Sequence, residues 1–322
     1  MSFRERADQQ ILPILELVPP IDLGGDIAEA RARIDAARRE LLAALPEVPG
    51  VVSRDVHVPG LAGDPDVLVR IYEPASGPHS GAALSYIHGG GMVLMSVDDT
   101  DFHCRQLVAE VGCLVTSVEY RLAPEAPYPA AVHDAYAALR WLHEHADELG
   151  VDRGRIAVGG SSAGGGLAAG VALLARDRGE VPLCFQWLVY PMLDDRDATP
   201  STHEITDPSV WNRASNQRAW AAYLGERHGT DDVPLYAAPA RAAVEDLRGL
   251  PPAYVDVGEL DAFRDEDIAY AQALLQAGVP TELHVTPGAF HASEMYHPTA
   301  PSSARILAHR TDALRRALGT PG

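Results

Sequence analysis

The chain contains no lysine: all 26 of its basic residues are arginine, set against 45 aspartates and glutamates for a net charge of -19. Without lysine there is no Schiff-base amine, no Ser-Lys dyad and no Walker-type phosphate loop. An acidic surface repels polyanions, so nucleic acid and anionic membrane surfaces are disfavoured as partners. Cysteine is scarce. Cys104, Cys113 and Cys184 are too few, and odd in number, for a disulfide framework; they fit a reducing compartment, and the expectation is a cytoplasmic protein. No apolar run approaches the roughly 18 residues that span a bilayer. The N-terminal stretch MSFRERADQQILPILELVPP carries charges on both sides of a short, proline-interrupted apolar run, so no signal peptide is expected. There is no H-E-x-x-H, no Cys/His cluster at ligand spacing and no G-x-G-x-x-G after a strand, so neither metal nor cofactor is expected.

What is present is an apolar content of 47%, ample for a large core in 322 residues. A helical preface fills residues 1–50. From Asp26 to Leu45 an apolar stripe (Ile27, Ala30, Ile34, Ala37, Leu41, Ala44) recurs at helical spacing, with Arg31, Arg38 and Arg39 assigned to the other face. Such a stripe covers either a pocket or the sheet edge. Two alternating runs, 51–58 and 67–74, read as antiparallel opening strands. After them, short apolar strands at 82–87, 113–120, 156–159, 184–190, 253–258 and 282–286 alternate with helices at 101–111, 130–149, 163–176 and 265–277. That rhythm predicts an α/β fold with a mostly parallel central sheet covered on both faces. Residues 195–235 break the rhythm, and with an apparent helix at 215–224 they read as an insertion rising off the sheet.

The strand at 156–159 runs into Gly160-Ser161-Ser162-Ala163-Gly164 and on into a small-residue helix. This is a G-x-S-x-G elbow in its strand–turn–helix setting, with Ser162 as nucleophile and the Ala163 N–H at a helix N-terminus. Acyl transfer through serine also needs a base, a carboxylate to orient it, and N–H donors for the oxyanion. In open α/β sheets such groups lie at the carboxyl ends of strands. His291, after the strand at 282–286, is the candidate base; His297 stays an alternative, while His284 sits inside a strand and His143 and His145 on an amphipathic helix. Asp261, after the strand at 253–258, is the candidate acid, with Glu259 its nearest competitor; Asp265, Glu266 and Asp267 read as first-turn helix acids. His88-Gly89-Gly90-Gly91 ends a third strand and supplies unobstructed backbone N–H groups.

With HGGG at 88–91, YRLAPE at 120–125, PAA-x-x-DAY-x-ALRWL around 129–142, G-x-SAGG at 160–165 and D-x-x-RDE at 261–266, the chain resembles the hormone-sensitive-lipase-like (family IV) bacterial carboxylesterases of the α/β-hydrolase superfamily. The resemblance covers roughly 80–300. It implies a triad of Ser162, Asp261 and His291, oxyanion donors on Gly90, Gly91 and Ala163, and structural roles for Arg121 and Glu125. It also implies an α/β-hydrolase catalytic domain over 51–322, a helical cap built from 1–50 and 195–235, and homodimers. Four positions depart from the usual pattern: Ser161 replaces an aspartate, Met92 an aromatic, and Ala292-Ser293 a Gly-Phe pair. The expected activity is hydrolysis of short to medium acyl esters, with a small-molecule ester as partner. Rival readings are an amidase with the same machinery, an interfacial lipase, disfavoured by the lack of a long apolar run in 1–45 or 195–235, and a non-catalytic receptor of the gibberellin-receptor kind, disfavoured because His291 fills the base position.

Overall fold

Alternation of apolar residues sets β1 (Val51–Val58) against β2 (Val67–Pro74) as an antiparallel pair, with Val51 opposite Pro74 and Val58 opposite Val67. The structure, a computed structural model, describes residues 2–16, 20–61 and 63–320; residues 1 and 17–19 of the expected preface, and 62 and 321–322 of the expected catalytic domain, lie outside it. Six further strands follow: β3 (Ala83–Ile87), β4 (Leu114–Val118), β5 (Ile156–Ser161), β6 (Phe185–Val189), β7 (Ala253–Leu260) and β8 (Thr281–Phe290). They form one sheet in the order β1-β2-β4-β3-β5-β6-β7-β8. β2 meets β4 antiparallel, and every later neighbour pair is parallel. β3, β4 and β6 are buried along their whole length, as strands covered on both faces must be.

The helices, in chain order, are α1 (Phe3–Arg6), α2 (Ile27–Ala43), α3 (Asp101–Val111), α4 (Ala130–Glu144), α5 (Ala163–Arg178), α6 (Pro200–Glu204), α7 (Arg213–Leu224), α8 (Arg264–Gln276), α9 (Ser293–Tyr296) and α10 (Pro301–Leu318). They cover two cores. Successive residues of a strand point to opposite faces, so Ala83 and Ile87 of β3 enter the core shared with Leu139, Leu167 and Leu274 of α4, α5 and α8. Leu84 and Tyr86 enter the other core, with Leu107 of α3 and Leu314 of α10.

Three expectations need correction. The helix expected over 130–149 stops at Glu144, and turns carry the chain to Gly150, whose φ of 67° ends the run. The strand expected at 282–286 runs on to Phe290, because β7 also extends past Gly258 to Leu260 and keeps a partner for it. The arginine face of α2 is not a free surface: Ala30 of the apolar stripe is buried and Ile27 and Ile34 pack on the main core as expected, but two of the arginines opposite are engaged as well. Asp26 caps α2 by accepting from the Ala28 and Glu29 N–H groups, but Arg31 points inward. It donates to the carbonyls of Val93 (2.7 Å) and Ala123 (2.8 Å) and pairs with Glu125 at 2.8 Å. Arg38 lies 3.4 Å from Asp99. Conversely, Leu41 of the apolar stripe is 54% exposed. The N-terminal half of the helix is held by Ala30, Ile27 and Ile34 on the main core together with the Arg31 ties, and its C-terminal half buries little.

The N-terminal segment and the 195–235 stretch touch each other. Ser215 Oγ of α7 donates to the Ile21 carbonyl at 3.0 Å, and Arg4 lies 3.2 Å from Asp207.

Candidate active site

Ser162 sits between β5 and α5 at φ 57°, ψ -123°, a conformation that an L-residue adopts only when its surroundings hold it there. Those surroundings are glycine-dependent. A β-carbon on Gly160 would lie 2.3 Å from the Ile87 carbonyl oxygen, and one on Gly164 only 2.0 Å from it. The Ser162 N–H donates to Val189 at 2.9 Å, and its carbonyl accepts from Gly166 and Met192 at 3.0 Å each. The hydroxyl is thereby aimed off the carboxyl end of the sheet from the N-terminus of α5.

β7 and β8 bring two further side chains to the same place. His291, the residue after β8, has Nε2 3.0 Å from Ser162 Oγ. Its Nδ1 is 2.8 Å from Oδ2 of Asp261, the residue after β7. A carboxylate only accepts, so Nδ1 carries the proton and Nε2 is free to accept from the serine hydroxyl. Asp261 is fully buried, and the Phe263 N–H donates to its other oxygen at 3.0 Å. The competitors lie elsewhere. Glu259 accepts from the Gly288 N–H and from Arg6, and His297 bonds to Thr299. His284 pairs with Glu282, and His145 faces the Trp141 carbonyl.

The glycine loop after β3 closes over the elbow. A β-carbon at Gly89 would lie 3.0 Å from the Ser161 carbonyl oxygen and 3.3 Å from the Ser162 β-carbon. Gly90 and Gly91 take φ values of 106° and 63°, open to glycine and costly to other residues. Among the described residues, the Gly90, Gly91 and Ala163 N–H groups donate to no protein acceptor. His88 is buried, stacks on Tyr120 with ring centroids 4.1 Å apart, and places Nδ1 2.9 Å from the Gly89 carbonyl. Burial pulls its pKa down to about 4, so at neutral pH it is an uncharged strut. The Tyr120 hydroxyl donates to the His88 and Gly89 carbonyls at 3.0 Å each.

Residues 84–295 match the family model described as the alpha/beta hydrolase fold. The chain belongs to the α/β-hydrolase family, in its hormone-sensitive-lipase-like branch. It is 38% identical to Esterase LipI of Mycobacterium tuberculosis over 96% of this chain and 94% of that one. It is 39% identical to Carboxylesterase NlhH of the same organism over 92% of this chain and 90% of that protein. Among solved structures it superposes on Bacterial Heroin Esterase with a TM-score of 0.93 at 45% identity, covering 98% of this chain and 99% of the other. Esterase LipW from Mycobacterium marinum gives a TM-score of 0.87 at 38% identity, covering 98% and 96%.

Around this α/β-hydrolase site stand groups that no spacing rule identified. Tyr190 and Phe263 pack on the His291 ring at centroid distances of 4.7 and 5.2 Å, and Trp211 lies 6.5 Å away. Trp220 and Tyr223 of α7 are buried against the main core rather than at His291. Ser161, the departure from aspartate, lies 3.2 Å from the Tyr86 hydroxyl. Behind Tyr190, Arg310 is buried between Asp256 and Glu294 at 2.6 Å from each, and the Tyr190 hydroxyl donates to Glu294 at 3.0 Å. Glu266 is in the first turn of α8 as expected, but it points inward and accepts from the Leu193 and Asp194 N–H groups. Burial, opposed by those two bonds, raises its pKa well above the carboxylate norm. Among the described residues no cluster of three His, Cys, Asp or Glu side chains is placed to hold a metal, and no helix is long and apolar enough to cross a membrane.

Proposed function

We propose that this α/β-hydrolase is a serine carboxylesterase acting on short to medium acyl esters through an acyl-enzyme intermediate. The observation that carries the reading is the unbroken chain from Ser162 Oγ to His291 at 3.0 Å and from His291 to Asp261 at 2.8 Å. Ser162 Oγ attacks the ester carbonyl as His291 Nε2 takes its proton. Asp261 holds the imidazole tautomer and stabilises the imidazolium. The unengaged N–H groups of Gly90, Gly91 and Ala163 receive the oxyanion. His291 then protonates the leaving alcohol and activates water to release the acid.

Residues 1–50 and 195–235 act in this reading as a cap over the site. Its support is the placement of Trp211 near His291 and the ties between Ser215 and Ile21 and between Arg4 and Asp207. The names of the relatives, Esterase LipI and Carboxylesterase NlhH, favour ester over amide substrates. A cytoplasmic location and a homodimer accompany the reading, the first supported by the three free cysteines and the second by the family resemblance.

A fluorophosphonate probe tests the nucleophile directly. The expected result is one probe per chain, attached to Ser162 and absent in His291→Ala on the same timescale. Labelling elsewhere, or none, overturns the assignment. A parallel panel of matched esters and anilides decides between esterase and amidase.

A further inference from the structure

Glu259 stands where the two strands that deliver Asp261 and His291 fall out of register. Gly258 pairs with Thr286 and Leu260 with Phe290, so a single residue of β7 faces Pro287, Gly288 and Ala289 of β8. A ladder interrupted in this way strands backbone donors. The Glu259 side chain takes up one of them: Oε2 accepts the Gly288 N–H at 2.9 Å. Asp261 is two residues beyond Glu259, and His291 is three beyond Gly288. The Glu259–Gly288 bond therefore ties the two backbone points from which those side chains reach each other.

The same carboxylate receives the N-terminal segment. Oε1 accepts from Arg6 of α1 at 2.9 Å, and Arg6 also pairs with Glu204 of α6. Glu204 lies 3.2 Å from Arg264, which donates to the Glu259 carbonyl at 2.9 Å. Gly288, at φ 70°, accepts the Asp8 N–H at 2.9 Å on its carbonyl, so the N-terminal segment grips both ends of the tie. Phe3 packs on Phe290, the residue before His291, with ring centroids 6.0 Å apart. The Gly288 N–H and Arg6 hold the Glu259 carboxyl below the usual carboxylate range, so it stays charged near neutral pH.

We propose that Glu259 is a positioning residue that sets the register between Asp261 and His291, and that Arg6 makes that register depend on the docked N-terminal segment. The proposal rests on the esterase reading for its kinetic readout and on the His291–Asp261 bond for a second one. A misplacement of catalytic groups by about 1 Å costs on the order of 100-fold in rate. Glu259→Ala is expected to lower kcat about 10- to 100-fold with KM nearly unchanged. Glu259→Gln keeps an oxygen for the Gly288 N–H and recovers most of that loss. Arg6→Met gives a smaller loss, and Arg6→Met/Glu259→Ala is no slower than Glu259→Ala alone, because Arg6 acts through Glu259.

The second readout needs no substrate. The proton on His291 Nδ1, donated to Asp261, gives a low-field proton NMR resonance that shifts or broadens in Glu259→Ala and is restored in Glu259→Gln. Wild-type kcat and an unmoved resonance in Glu259→Ala overturn the proposal. Should that variant fail to fold, Arg6→Met decides: unchanged kcat and an unchanged resonance overturn it. A wild type inert towards esters whose resonance nonetheless responds to Glu259 removes the esterase reading and leaves the positioning role standing.

Discussion

The indole of Trp211 lies against Gly91 so closely that a β-carbon on that glycine would come within 2.4 Å of the ring. Trp211 precedes α7, so this contact sets the 195–235 stretch on the glycine loop whose Gly91 N–H has no acceptor among the described residues. Gly91 also sits at φ 63°. Gly91→Ala therefore either displaces Trp211 or tilts the loop. Loss of one oxyanion donor costs about 10²–10³ in kcat, and Gly91→Ala is expected to reach that range on p-nitrophenyl butyrate. Adding Trp211→Ala relieves the clash and returns part of the rate. An unimpaired Gly91→Ala contradicts the donor assignment.

Arg310 holds two carboxylates that are as buried as itself. Arg310 is 4% exposed, Asp256 3% and Glu294 1%, so no solvent stands in if the guanidinium goes. Removing one partner of a buried ion pair costs about 3–5 kcal/mol because a charge is left uncompensated. Arg310→Met is expected to lose stability in that range, read as a lower urea midpoint. Combining it with Asp256→Asn and Glu294→Gln restores most of the loss. A triple variant no better than Arg310→Met excludes stranded charge as the cause.

His88 makes stability depend on pH in a defined window. Its ordinary pKa of 6.5 is lowered to about 4 by burial. Between those values the unfolded chain binds a proton that the folded chain refuses, so folding weakens as pH falls from 6.5 towards 4. Above 6.5 neither state is protonated and the effect vanishes. The slope is about 1.4 kcal/mol per pH unit within the window. His103, pulled down to about 4 by the same cause, adds a similar slope. His88→Asn is expected to flatten the urea midpoint against pH between 4.5 and 6.5, and an unchanged slope contradicts the burial account.

Sheet and helices were legible because long periodic segments declare themselves, and strand ends narrowed the search for a site. Ser162, Asp261 and His291, each chosen for its place after a strand, lie in one hydrogen-bonded chain. The competition between Asp261 and Glu259 could not be settled by spacing, since both follow an apolar strand. In the structure the register break at Gly258 and Leu260 turns Glu259 towards Gly288, while Asp261 lies beside His291. Long side chains misled for a related reason. Arg31 falls opposite the apolar stripe of an amphipathic helix, yet its guanidinium reaches two carbonyls that no local pattern brings near it. The Arg310 cluster joins β7, α9 and α10, and a first-turn acid such as Glu266 gives no sign in sequence of pointing inward. These contacts are tertiary, and periodicity carries no record of them.

The most direct test of the central claim is hydrolysis of p-nitrophenyl butyrate by the wild type beside Ser162→Ala and His291→Ala. The account predicts turnover by the wild type and a loss of up to about 10⁶ in kcat for each variant, the two losses failing to add in the double variant because both groups serve one proton transfer. Variants that retain wild-type rates, or a folded wild type inert towards ester and amide alike, contradict it.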